Sequence, residues 1–376
     1  MKILINALAL KNRGGSSRHL EEFIDSLQRV SSHNEYILCL DEKYARQTHF
    51  QLPSLNIKTF AIKSMVHRVW IDQTQIHRLI KKEKCLSLFS LLTFGILRPP
   101  VSQTLFVRTP IYFSKSYINS IPFGQRLALN ARRKWLELGI QASKFIIVPS
   151  QAMKDSILEM NDKLPLERFR VIPHGFDKER FIKALNLQSL AAPPEKSRVF
   201  NILYVSSMLP YKGFTLIPKV SSLLVEKITD FTFTFTGKRN DCPDGYDQMV
   251  ADSKKLKVTD FLCHQGELPL EETYRLYAKA NIFFFPSYCE SFGFPMVEAM
   301  GAGLPIVAAD TPVNREICGD AALYFTVGRA DEAADLISQL YNNKTLRENM
   351  SAIGKKRFES NVLTMDEYVK KVLDLL

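Results

Sequence analysis

Short apolar runs alternate with helix-length amphipathic segments along the whole chain, and this alternation limits the fold more than any other feature. Strands joined by helix-length connections pair in parallel, and parallel sheets are covered by helices. The pattern predicts two such sheets. In the first half, strands are expected at Lys2–Ala7, Tyr36–Leu40, Ile57–Ala61, Leu86–Leu91, Thr104–Val107, Phe145–Val148 and Arg170–Ile172, with helices near Ser17–Ser31, His67–Glu83, Gln125–Gln141 and Ala152–Met160. In the second half, strands are expected at Asn201–Val205, Phe231–Thr236, Val258–His264, Ile282–Pro286, Ile306–Ala309 and Leu323–Phe325. Between the halves, Ala184–Ser197 contains Ala191-Ala192-Pro193-Pro194 and no periodic apolar face; X-Pro steps exclude helix, so it reads as a linker. Domains are expected over 1–190 and 191–355, with helices at Lys344–Glu359 and Met365–Leu376 able to pack on either half. The fold class is α/β, two Rossmann-like domains whose strand ends face one another across a ligand cleft.

At roughly 150 residues per domain, 376 residues suit two or three domains, and 46% hydrophobic with 24% charged residues excludes disorder and a simple coiled coil. The longest uncharged apolar run, Cys85–Leu97, is shorter than the roughly 18 to 20 residues that span a bilayer, so no single-pass anchor is expected. Ile3–Leu10, broken by Asn6, suits a first strand better than a signal-peptide core, and the protein is expected in the cytosol. The six cysteines have neither disulfide-framework nor zinc-site spacing and read as buried thiols. Charge is uneven: Met1–Arg180 holds 28 Lys and Arg against 15 Asp and Glu, and the remainder 22 against 24. A field of one sign on one half favours an anionic partner, whether phosphorylated substrate, acidic membrane surface or nucleic acid.

Two strand ends of the second half carry candidate chemistry. After Ile282–Pro286 come Glu290, Ser291, Phe292, Gly293, Phe294, Pro295 and Glu298. Proline suits a first helical position, so a helix is expected to open at Pro295 with Glu298 in its first turn. Gly293 permits close approach of a ligand, and the amides of Phe292, Gly293 and the opening turn favour an anion such as a diphosphate. A carboxylate there repels phosphate but accepts hydrogen bonds from the paired hydroxyls of a ribose or hexose, a role open to Glu290 and Glu298. The plainer alternative makes Glu298 a helix-end acid and Glu290 a solvated one. The second strand end, Asn201–Gly213, offers Lys212 to phosphate oxygens, with Ser206, Ser207 and Gly213 as close backbone. Thr236-Gly237-Lys238 lacks the spacing of a Walker loop.

The Pro-x-Lys-Gly segment, the Glu290 and Glu298 pair around Ser-Phe-Gly-Phe-Pro, the run Glu298–Ala308, and Val171-Ile172-Pro173-His174-Gly175-Phe176-Asp177 together resemble the retaining glycosyltransferases of the GT-B fold, family 4 (glycosyl transferases group 1). The resemblance covers nearly the whole chain and is most specific between Gln265 and Phe325. It implies a hexosyltransferase that uses a nucleotide-diphosphate sugar. Glu298 would bind the ribose, Glu290 would face the donor sugar, and the amides of Phe292, Gly293 and Phe294 would cradle sugar and phosphate. Lys212 would neutralise the leaving diphosphate. Gly266 and Leu268 would lie against the base, Gly14 and Gly15 would form the glycine-rich loop of the first domain, and the final helix, within 356–376, would cross back to that domain. Three positions depart from the family pattern. Ser207 stands where an arginine is usual, leaving Lys238 or Arg239 near Gly237 as replacement cations; His174 replaces an asparagine; Arg108 stands near the usual place of a histidine.

With Lys212 and helix amides at the diphosphate and no acidic cluster, no metal and no cofactor are expected. By resemblance, the sugar is delivered on the face that the leaving group departs from. The acceptor, a glycan or lipid-linked molecule, is expected on the first domain, near Arg108 and His174. There, Arg126–Leu136 is a basic amphipathic helix beside Tyr112, Phe113, Tyr117 and Phe123, and His67–Lys84 is a second cationic helix. These are either solvated faces over core aromatics or a peripheral contact with anionic lipid at the inner face of the membrane. Arg13, Arg18 and His19, near the glycine loop, suit a phosphate-facing or a plain surface role equally. Two other functions compete: a nucleotide-sugar hydrolase or epimerase of the same fold, and a nucleic-acid binder, for which no recognition motif accompanies the charge.

Overall fold

A computed structural model describes residues 1–8, 15–31, 33–48, 50, 54–189 and 199–376. The chain divides into two units, Met1–Asp177 with Leu363–Leu376, and Lys178–Val362.

Unit 1 holds a seven-stranded parallel sheet of β1 (Lys2–Asn6), β2 (Glu35–Asp41), β3 (Leu55–Phe60), β4 (Ser87–Ser90), β5 (Ser102–Phe106), β6 (Phe145–Val148) and β7 (Phe169–Val171), in the order β3-β2-β1-β4-β5-β6-β7. Unit 2 holds a six-stranded parallel sheet of β8 (Phe200–Tyr204), β9 (Phe231–Phe235), β10 (Leu262–His264), β11 (Ile282–Phe285), β12 (Ile306–Ala309) and β13 (Ala322–Phe325), in the order β10-β9-β8-β11-β12-β13. Every strand expected from the apolar runs is present, and the α/β class stands; of the six thiols expected to be buried, Cys242 and Cys263 are only half-buried. The central strands are sealed on both faces, as Phe283, Phe284 and Phe285 illustrate.

Three local expectations are corrected. The run Val258–His264 is strand only from Leu262, because Lys257 takes φ +55° and Thr259–Phe261 form a 3₁₀ turn. The first part of the expected linker is helix: Lys178–Ser189 is continuous, and 190–197 lies outside the described residues. That helix belongs to unit 2, where Phe181 packs edge-on against Tyr274 at 4.7 Å, so the units part at Asp177 rather than near 190. The return to unit 1 begins at Leu363, not at 356. There the helix Met365–Leu373 opens on a capping box of Thr364 and Glu367, and Asp366 accepts hydrogen bonds from Ser26 and Arg29. Met365, Tyr368, Val369 and Val372 then complete the core of Phe23, Phe89 and Phe106.

A polar cluster is sealed into that core. His19, on the helix Gly15–Val30, meets His174, just past β7, with Nε2 and Nδ1 3.0 Å apart. The ring of Tyr368 lies 5.1 Å from that of His19. Burial, aided for His19 by the charges of Arg108 and Arg18 and for His174 by His19 and Arg108, holds both imidazoles well below their ordinary pKa. They are neutral in the folded chain, whereas the unfolded chain takes up their protons near pH 6.5. Stability from this source is therefore full above about pH 6.5 and falls as pH drops below it. Urea denaturation at pH 7 and pH 5 should show a smaller acid loss for the His19→Gln/His174→Asn double variant than for the parent. Equal losses would contradict this source of acid sensitivity.

Candidate active site

Unit 2 reverses its winding between β8 and β11, which are sheet neighbours although β9 and β10 come between them in sequence. Loops leaving two such strands diverge, and the crevice outside their carboxyl ends is where open α/β sheets bind ligands. Lys212 follows β8 and Glu290 follows β11. Their side chains meet: Lys212 Nζ donates to Glu290 Oε1 at 2.7 Å, with side-chain exposures of 16% and 8%.

The backbone holds this meeting in place. Tyr288 N–H and the Ser287 hydroxyl both donate to the Tyr211 carbonyl, at 3.1 and 3.3 Å. Gly213 sits at φ +70°, and a Cβ there would lie 2.6 Å from the Pro286 carbonyl oxygen, so glycine alone lets the Lys212 loop approach the end of β11. Buried Asn314 donates to the carbonyls of Ser287 and Ala309 at 3.1 and 2.9 Å, tying the Glu290 loop to β12. The Lys212-Gly213 step, which in sequence reads as the opening of the next helix, does not open one. Lys212 ends a 3₁₀ turn, Pro210–Lys212, and after a second turn the helix begins at Ile217.

The helix after β11 is Phe294–Gly301, capped by Gly293 at φ +86°, so it starts one residue before Pro295. Glu298 consequently falls beyond the first turn and is buried, its Oε2 accepting a hydrogen bond from the Tyr277 hydroxyl at 2.7 Å. A Cβ on Gly293 would stand 2.5 Å from Met296 Cε. Phe292 is buried and meets Phe294 edge to face at 5.4 Å.

On the far side of β8, Gly237 N–H donates to the Gly266 carbonyl at 2.9 Å, joining the loops after β9 and β10, and Leu268 follows half-buried. Lys238 and Arg239 are not uncommitted cations: Lys238 pairs with Glu267 at 2.5 Å, and Arg239 makes two bonds to Asp247 at 2.8 and 2.6 Å. Ser207 is exposed in the loop after β8. Sequence reasoning missed Tyr277, Asn314 and His264, whose ring stacks on Phe235 at 4.8 Å and approaches the Gly237 carbonyl at 3.0 Å. Among the described residues no group of three or more His, Cys, Asp or Glu could hold a metal ion.

In unit 1, Gly14 and Arg13 lie outside the described residues, and Gly15 opens the first helix. Arg18 pairs with Glu22 at 2.8 Å. His174 is sealed beside His19 rather than presented on a surface, whereas Arg108 is half-buried just past β5. Tyr112 and Phe113 are core residues, and Phe123 is exposed. No helix among the described residues is long and apolar enough to cross a membrane.

Comparison with known proteins agrees with this geometry. Residues 189–357 match the model for glycosyl transferases group 1. The chain is 27% identical over 304 residues to the O-antigen chain mannosyltransferase RfbU of Salmonella typhimurium, covering 80% of this chain and 77% of that one. It is 30% identical over 153 residues to the Escherichia coli O-antigen chain mannosyltransferase B, covering 40% of this chain and 39% of that one. Among solved structures, Anabaena Alr3699/HepE in complex with UDP and glucose superposes with a TM-score of 0.74 at 16% identity, over 100% of both chains. The two parallel sheets are those of the GT-B fold, residues 189–357 are similar to glycosyl transferases group 1, and the chain is a glycosyltransferase.

Proposed function

We propose that the chain moves a hexose, with retention of anomeric configuration, from a nucleotide-diphosphate sugar to a glycan or lipid-linked acceptor. The observation that carries this reading is the pair of Lys212 and Glu290 at the winding reversal of unit 2. Each holds the other's charge until donor arrives. Lys212 then turns to the diphosphate, and Glu290, released, accepts hydrogen bonds from the donor sugar. Glu298, steadied by Tyr277, accepts from the ribose hydroxyls. The amides of Phe292, Gly293 and Phe294, with Ser207 and Gly213, line the sugar and phosphates, while Gly237, Gly266 and Leu268 face the base. Lys212 supplies the positive charge at the leaving group, so the reaction needs no resident metal or cofactor. The leaving phosphate oxygen takes the acceptor proton on the departing face. Mannosyl donors are the first to try, because two relatives are named as mannosyltransferases.

Glu290→Gln and Lys212→Met should each lower kcat by about 100-fold or more, the scale of losing one charge-stabilising group. Glu298→Gln should chiefly raise the KM for donor, and EDTA should leave the rate unchanged. Full activity in both glutamate variants would overturn the assignment. Release of free sugar from donor alone, at the rate of transfer, would favour the hydrolase reading instead.

The acceptor is proposed to reach unit 1 at an anionic membrane surface. On the helix Phe123–Gln141, Phe123 and Leu127 are 74% and 57% exposed, and Leu138 and Lys134 recur on the same face. The helix Met65–Trp70 exposes Val66 and Trp70. Over Lys115–Gln141 the sequence has five basic residues and one acidic. Apolar side chains among basic ones suit the lipid interface, where each cation contributes about 1 kcal/mol. The protein should co-sediment with vesicles containing phosphatidylglycerol but not with pure phosphatidylcholine, and Phe123→Ser/Leu127→Ser should weaken binding several-fold. Co-sedimentation independent of anionic lipid would contradict the proposal.

A further inference from the structure

Arg108 differs from three other arginines of unit 1. Arg18 has Glu22, Arg68 has Asp72 at 3.5 Å, and Arg133 has Glu137 at 3.5 Å. Arg108 has no carboxylate among the described residues: the titratable groups that face it are His19, His174 and Tyr368. Residues 9–14, which join β1 to the first helix, are Ala-Leu-Lys-Asn-Arg-Gly and contain no acid. The guanidinium carbon lies 5.8 Å over the Phe106 ring, and Nη1 is buried without a hydrogen-bond partner. Burial of part of the guanidinium pulls its pKa down to about 10.

Two neighbours share the deficit. His19 Nδ1 and the Tyr368 hydroxyl are also buried and unpartnered, so three of the ten such side-chain atoms among the described residues fall in this one cluster. Buried polar groups are almost always satisfied, and of these three Arg108 alone is half-buried and so open to an anion from solvent. The neighbouring imidazoles are neutral and do not compete with Arg108 for it.

We propose that Arg108 anchors an oxyanion site in unit 1 that takes a phosphate or carboxylate group carried by the acceptor. The planar guanidinium matches two oxygens of either group. Oxyanion binding stands on the surroundings of Arg108 alone; its assignment to the acceptor rests on the transferase reading.

The test uses the full chain with Lys212→Met, which removes the proposed diphosphate cation, alone and combined with Arg108→Gln. Inorganic phosphate, D-glucuronate and D-glucose are titrated while thermal stability is followed. The expected result is a saturable rise in Tm with phosphate or glucuronate and none with glucose, with apparent affinity at least tenfold weaker once Arg108 is Gln. Whichever oxyanion acts identifies phosphate or carboxylate as the group recognised. No saturable shift with either oxyanion, an equal shift with glucose, or an unchanged affinity in Arg108→Gln would overturn the site. Should the Arg108→Gln protein fail to fold, histidine-15N spectra of the Lys212→Met protein serve instead. The imidazole resonances of His19 and His174 should move on oxyanion titration, and still resonances overturn the proposal. UDP and GDP binding to the unsubstituted chain is measured in parallel, so that failure of the nucleotide-sugar reading is seen separately.

Discussion

A parallel sheet covered on both faces has no room for polar chemistry in its body. Its strands are sealed, its connections must cross over as helices, and groups that meet solvent or ligand are confined to the strand ends. The central strands of both sheets obey this constraint. β11 contributes three consecutive buried phenylalanines and no functional side chain, yet the loop that follows it carries Glu290. The winding order then selects among the ends. Only where neighbouring strands send their chains in opposite directions do the loops part, and in unit 2 that place lies between β8 and β11.

Two opposite charges placed there, both largely out of water, hold each other at 2.7 Å. Such a pair is costly to break in isolation and easy to exchange for a ligand that presents a diphosphate to one partner and hydroxyls to the other. The surrounding backbone fixes the two loops so that only the side chains need move. Gly213 brings one loop against Pro286, and Asn314 pins the other through Ser287. Tyr277 performs the matching task for Glu298, from a helix that otherwise serves the core.

The strands were legible because each is a compact apolar run, which local sequence records in full. Boundaries set by single backbone angles were not: nothing in Val258-Thr259-Asp260-Phe261 announces that Lys257 turns left-handed and delays β10. The linker was overextended because Ala184–Ser189 has a weak periodic face, while Phe181 just before it anchors the helix through a distant tyrosine. Of the site, Lys212, Glu290, Gly213, Gly293 and Glu298 were visible by residue type and place. Their partners were not, since Lys212 and Glu290 stand 78 positions apart and Glu298 meets Tyr277 across two helices. The sealing of His174 against His19, 155 positions away, was equally beyond local pattern.

Partner exchange at Lys212 is tested most directly by calorimetric titration of a nucleoside diphosphate and its sugar conjugate onto the parent, Lys212→Met, Glu290→Gln and the double variant. If the carboxylate competes with diphosphate for the ammonium, Lys212→Met weakens the diphosphate about tenfold or more, which is about 1.4 kcal/mol. Glu290→Gln then leaves diphosphate binding equal or tighter while weakening the sugar conjugate, and the two substitutions are non-additive. Equal weakening of the diphosphate by both single substitutions, adding in the double variant, would contradict it.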